Sequence, residues 1–203
     1  MSQGEFILSN YLKELTWSPP EERQSDADQR GGSGQVITFG RPYWRIRFIY
    51  DNQNDAAYRA QTAWLARRKG SRVTFTANRP GMRKPLLAPG MTNEGLSVVA
   101  VNIAAGTVTI GGLGTNPISA GDMLSYYTAN SGYWVGQALA DAAPVTGQAV
   151  ISVHPPPQTP HASTPVPRLV DAIGEFKLVG RIQNTERHTR RASVSFEAVQ
   201  VVR

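Results

Sequence analysis

Between Tyr43 and Tyr50 a large apolar side chain falls on every second residue (Trp44, Ile46, Phe48, Tyr50), with Arg45 and Arg47 between them. A period of two predicts a strand with one buried face and the arginines on the wet one. Asn52 or Asn54 can then cap a helix through its side-chain oxygen, and Asp55 is favourable in the first turn. At 3.6 residues per turn, Ala56, Ala57, Ala60, Ala63 and Trp64 share a stripe suited to packing on a sheet, with Arg59, Gln61 and Thr62 largely outside it. Arg67, Arg68 and Lys69 complement the helix dipole, and Gly70 is a natural stop. Val73, Phe75 and Ala77 then alternate with Arg72, Thr74 and Thr76. The module reads strand, helix, strand, and its candidate core is Trp44, Ile46, Phe48, Trp64 and Phe75, joined by Phe196 from the last strand.

Upstream, residues 6–17 are apolar enough for an edge strand or a docking arm. Ser18 to Gly34 is polar and reads as a mobile loop. Its Gly31-Gly32-Ser33-Gly34 lacks the Gly-Lys-Ser/Thr ending of a phosphate loop, so a flexible turn is the better reading. Val36 to Phe39 forms a short strand. From about Met91 to His154 charge nearly vanishes, and five short strands are expected at Leu96–Ile103, Thr107–Ile110, Met123–Thr128, Gly132–Gln137 and Gln148–Val153. Such short, evenly spaced strands suggest a small barrel or sandwich. His154-Pro155-Pro156-Pro157, with Pro160 and Pro165, is a stiff connector. Beyond it Phe176, Leu178, Gly180 and Ile182 face one way and Glu175, Lys177, Val179 and Arg181 the other. Ala192, Val194, Phe196 and Ala198 mark the inner face of a final strand. This terminal hairpin shares the half-buried pattern of 43–50 and 72–77 and is expected to complete their sheet. The expected fold is mainly β: a β-sandwich main domain of residues 1–89 and 166–203 with one packed α-helix, an inserted small β-barrel or sandwich domain at 91–154, and a Pro-rich connector at 155–165.

Composition agrees with a turn-rich β protein: 203 residues, 40% hydrophobic, 18% charged, with 19 Gly and 14 Pro. No apolar run is long enough to cross a bilayer, and the start lacks the basic and apolar regions of a signal peptide. With no cysteine there is no disulfide framework or thiol nucleophile, and synthesis in a reducing cytoplasm is the simple expectation. The net charge of +6 would suit an anionic partner. The bases are scattered, however, over Arg45 and Arg47, Arg67 to Lys69, Arg79 to Lys84 and Arg187 to Arg191. A solvated basic surface, or one facing an acidic protein neighbour, is expected rather than a specific nucleic-acid reader.

Candidate chemistry is sparse. The three histidines, His154, His161 and His188, lack metal-ligand spacing. Glu21, Glu22, Asp26 and Asp28 fall in the polar loop, a poor mount for general acid/base work, which needs groups held at hydrogen-bond reach. Asp122 in Ala120-Gly121-Asp122 reads as a turn aspartate bonding its own backbone. No catalytic residue, metal site or cofactor site is expected. Tyr126, Tyr127, Tyr133 and Trp134 stand apart, because neighbours on a strand point to opposite faces. At least two must lie outside the small domain's core, as contacts for another subunit or partner, or as stacking platforms for a glycan.

Taken together, the motifs resemble the distal-tail or tail-hub family of long-tailed bacteriophages and gene transfer particles. The resemblance rests on Tyr43-Trp44-Arg45-Ile46-Arg47, on Ala63-Trp64-Leu65-Ala66 ending an Ala-rich helix, and on Val73-Thr74-Phe75-Thr76. Gly111-Gly112-Leu113, Ala120-Gly121-Asp122-Met123-Leu124-Ser125, Gly147-Gln148-Ala149-Val150 and Ser195-Phe196-Glu197-Ala198 follow in order. The resemblance spans about residues 35–203, and excludes the 18–34 loop. It implies a structural, non-enzymatic tail protein that assembles as a homo-oligomeric, hexameric ring. That ring would join the tail tube protein to the tip, baseplate hub or fibre proteins, with DNA passing through the bore without specific binding. The implied location is the virion tail, after synthesis in the host bacterial cytoplasm and without membrane contact. Alternatives are another tail component (terminator or tube protein) or a carbohydrate-binding module using exposed aromatics of the insert.

Overall fold

The computed structural model describes residues 11–18, 23–26, 36–39, 43–68, 73–130, 132–162, 165–187 and 191–201. The alternation at 44–50 is expressed in β4 (Arg45–Gln53), where Ile46, Phe48 and Tyr50 are buried and Arg45 and Arg47 exposed. β4 lies between β1 (Leu12–Ser18) and β12 (Arg191–Gln200) in a five-stranded antiparallel sheet of order β1-β4-β12-β11-β5, with β11 at Ile173–Arg187 and β5 at Phe75–Asn78. One face carries Trp44, Ile46, Phe48, Phe75, Phe176 and Phe196, all buried, with Trp64 partly buried against them. Phe48 and Phe196 stack with centroids 4.8 Å apart, and Trp64 meets Phe75 edge-on at 5.3 Å. The other face is polar, and Arg45 and Glu197 lie 3.9 Å apart on it, about half exposed, a pair of small energetic weight.

The one α-helix among the described residues, α1 (Asp55–Arg67), begins where Asn54 Oδ1 accepts from Ala57 N at 2.9 Å, filling one of the first-turn donors that lack a helical partner. It packs on β12 and β4. The face it buries differs from the expected alanine stripe: Ala57, Gln61 and Leu65 are buried, while Ala56, Ala60 and Ala63 are exposed. Alanine favours helix without needing to be packed, and here the longer side chains fill the gap to the sheet. Gln61 is held by Gln53, whose Nε2 donates to its Oε1. Arg68, at the end of the helix, lies 4.5 Å over the Trp64 ring and donates from Nη1 to Thr74 O at 2.9 Å.

Two further expectations need correction. Within the segment read as a mobile loop, Arg23–Asp26 forms β2 and pairs with β3 (Val36–Phe39); the intervening residues lie outside the described ones. On β11, Ile182 is 39% exposed rather than inward. Between Val179 and Gln183, β11 advances four residues while β12 advances two, from Glu197 to Ser195. That bulge removes Ile182 from the alternation.

The second sheet has order β6-β7-β10-β9-β8, from β6 (Ser97–Asn102), β7 (Thr107–Gly111), β8 (Met123–Tyr127), β9 (Tyr133–Ala138) and β10 (Gln148–His154). Its strands stand close to the five expected ones. All five contribute to one core, which includes Val98, Ile110, Tyr126, Trp134 and Ile151. β10 pairs with β7 through Gln148–Ser152 and with β9 through Val153–His154. The tight entry to the β7–β10 end needs glycine: at Gly112, φ is +84°, and a Cβ would stand 2.1 Å from Gly95 O.

The two sheets meet along β8, β9 and β11. Alternation divides the seam strands between two cores: Met123 and Val135 join the aromatic cluster of the first sheet, while Leu124, Tyr126 and Trp134 face the second. Among the described residues the architecture is thus mainly β, two five-stranded sheets and the small β2–β3 pair with one α-helix, and fits a β-sandwich with a packed helix. No helix among the described residues is long and apolar enough to cross a membrane.

Candidate partner-binding site

The four aromatics singled out on β8 and β9 separate cleanly. Tyr126 and Trp134 are 0% and 5% exposed and pack with centroids 5.0 Å apart inside the second core. The Tyr126 hydroxyl donates to Thr159 O at 2.9 Å, and burial pushes its pKa upward. Neither side chain is available to a partner, because both stand on the core-facing side of the second sheet. Tyr127 and Tyr133, one residue away on each strand, face outward. They are cross-strand partners, and their rings meet edge to face at 5.1 Å and 71°. Tyr127 is 39% exposed.

Distant sequence completes the surroundings of this pair. The backbone of Arg168 bridges to Ser125, donating and accepting at 2.8 and 3.0 Å. Asn93 fixes the next two residues: its Oδ1 accepts from Leu169 N and Val170 N, each at 2.9 Å, and its Nδ2 donates to Val170 O at 2.9 Å. The result is a cleft of about 520 Å³ lined by Asn93, Tyr127, Tyr133, Ala162, Pro165, Val166 and Arg168. Among the described residues, nothing hydrogen-bonds the Arg168 guanidinium or either phenol hydroxyl. Sequence reasoning missed Arg168 and Asn93. The nearest local signal for Arg168 is the end of the proline-rich stretch, which gives no hint that residues 165–168 return to β8, and Asn93 lies 75 residues earlier in the chain.

The residues weighed for chemistry take structural places. Asp122 is buried; its Oδ2 accepts from Ser119 N at 2.8 Å and its Oδ1 from Leu86 N at 2.9 Å. It therefore closes its own turn and also ties down the chain leaving the first sheet. His161 Nδ1 lies 2.6 Å from Ala162 O. His188, Glu21, Glu22 and Asp28 lie outside the described residues. Among those described, no three His, Asp or Glu side chains converge as metal ligands would.

A second feature bears on partners. β5 pairs with β11 only through Ile173–Phe176, although β11 runs on to Arg187. From Lys177 onward, one edge of β11 is hydrogen-bonded to no strand among the described residues. At the far side of the same sheet β1 is likewise an edge.

No protein-family model matches the chain, and no curated protein matches it.

Proposed function

We propose that the protein is a structural component of a bacteriophage tail: a distal-tail or hub ring joining the tail tube to the tip or baseplate proteins. The observation that carries this reading is a pair of sheet edges to which no strand among the described residues pairs, β1 on one side and the β11 overhang on the other. An unpaired strand edge is a row of backbone donors and acceptors that another chain can complete. Two different edges of one sheet give a head-to-tail contact, which closes into a ring when the rotation per copy divides a full turn. The order of the motifs supports the same family, and so does a sheet assembled from residues 12–78 and 173–200 with the second sheet strung between. Function would then be mechanical: backbone pairing joins copies, the bore continues the tube and lets DNA through without reading it, and the second sheet faces outward components.

The test is negative-stain electron microscopy of the purified protein, with light-scattering mass on the same sample. Closed rings with a central hole are expected, either alone or on preformed tube. A monomer that also fails to decorate tube overturns the proposal.

A further inference from the structure

We infer that the cleft between Tyr127, Tyr133 and Arg168 is a binding site for an acidic saccharide, a pyranose bearing a carboxylate. The inference does not rest on ring assembly.

Arg168, Tyr127 and Tyr133 line one cleft of about 520 Å³, and among the described residues no hydrogen bond engages the Arg168 guanidinium or either phenol hydroxyl. Ligand sites of small molecules fall in the range of about 300–1,000 Å³, so one or two sugar rings can be accommodated. A guanidinium is a planar fork matched to a carboxylate, which it binds through two parallel N–H···O bonds. The tyrosines meet at 71° and so offer a corner rather than a flat wall. A pyranose can lay its C–H face on one ring while its hydroxyls reach the phenol oxygens, and Pro165 and Val166 add apolar lining. The site is held on rigid parts: the tyrosines on paired strands, Arg168 by its backbone bridge to Ser125, and the following residues by Asn93.

An acidic peptide shares the carboxylate but fits less well. Extended peptides gain affinity by adding to a strand edge. The edge of β8 is already taken, by the Ser125–Arg168 bridge and by a second bridge from Thr128, beyond its end, to His161. What remains is a concave side-chain site, which suits a compact ring with one charge.

The experiment is a chemical-shift titration of the intact, isotope-labelled chain with three probes: methyl galacturonoside, neutral methyl galactoside and acetate. Shifts centred on Tyr127, Tyr133 and Arg168 are expected, with the uronate binding about tenfold or more tighter than the neutral sugar, the scale of one charge-assisted bidentate contact. Acetate should compete only weakly. Arg168→Gln should remove the preference for the acid while leaving the neutral sugar within about twofold, and Tyr127→Ala should weaken both sugars, by up to about tenfold. Arg168→Lys, which keeps the charge without the fork, should retain part of the preference and stands in if the glutamine variant does not fold. Equal binding of the two sugars, acetate as good as the uronate, or perturbations centred elsewhere would each overturn the inference.

Discussion

Gly174 opens β11 at the seam between the sheets, and replacing it by alanine tests how tightly that seam is built. An added Cβ would stand 2.3 Å from Val135 Cγ1 and 2.9 Å from Phe176 Cε2. Carbon atoms are comfortable at about 3.5 Å or more, so one neighbour must retreat by roughly 1.2 Å. Val135 cannot do so cheaply, since it is wholly buried in the first core and a β-branched side chain has few rotamers. Overpacking of this kind costs about 1–3 kcal/mol, and two simultaneous clashes place Gly174→Ala toward the upper end. With a urea m-value of about 2–3 kcal/mol/M, the midpoint should fall by about 1 M. Val135→Ala should by itself cost about 2 kcal/mol through lost burial and a cavity. The double variant places the new methyl where the valine was, so its loss should be smaller than the sum by about 1 kcal/mol or more. Equilibrium urea unfolding of the four proteins decides it. A Gly174→Ala cost under about 0.5 kcal/mol, or strict additivity, would refute the packing argument.

Other expectations follow from the same contacts. The buried Gln53–Gln61 pair should lose about 1–3 kcal/mol on Gln61→Leu, which orphans Gln53; the double change Gln53→Leu with Gln61→Met should be nearly neutral, and thermal unfolding tells these apart. Asn54→Ala should cost about 1 kcal/mol through the lost cap, read by denaturant unfolding, with no change in α1 expected beyond its first turn. Burial pushes the pKa of the Tyr50 hydroxyl up to about 12, from the ordinary tyrosine value of about 10. Below pH about 10 both states keep the proton and this tyrosine has no effect on stability. Above it the unfolded chain ionises first, so stability should fall between pH 10 and 12, by about 3 kcal/mol. Tyr126 is shifted the same way. Phenolate absorbance and circular dichroism recorded together should show both tyrosines ionising only as the fold is lost; titration of all seven in an intact fold would contradict this. Finally, Ile182→Lys in the open stretch of β11 should leave unfolding within about 0.5 kcal/mol of the parent yet reduce ring formation, since a lysine on a strand edge blocks further pairing. Rings at undiminished yield would exclude this edge as the joint.

Much of the strand pattern was readable because a period of two survives wherever one face is wet. Trp44 to Tyr50 and Ala192 to Ala198 are such cases, and turn residues delimit β6–β10. What was not readable has three physical causes. Alternation says that Tyr126 and Tyr127 face opposite ways but not which one faces inward, since that depends on how the sheet curls. Helical periodicity centred on the alanines misassigned the helix face, because alanines that favour a helix need not be the residues it packs with, and a glutamine is buried when another glutamine meets it. Features set by remote pairing left no local trace: the β11 bulge that exposes Ile182, the pairing of Arg23–Asp26, and the arrival of Arg168 and Asn93 beside the tyrosines.

The strand order has a consequence for the making of the protein. The middle of the first sheet, β12 and β11, is synthesised last, while its flanks, β1–β4 and β5, are made first. A ribosome has delivered all five strands of the second sheet by His154, yet at that point Phe48 still awaits Phe196 and Phe75 awaits Phe176. The closing hairpin acts as a keystone, inserted between parts already present. Contacts so distant in sequence slow folding and leave apolar strand faces exposed in the interim. In return they make the sheet a check on completeness: a chain truncated before β11 lacks the centre of its sheet and, in the proposed ring, would also lack the overhang by which copies join.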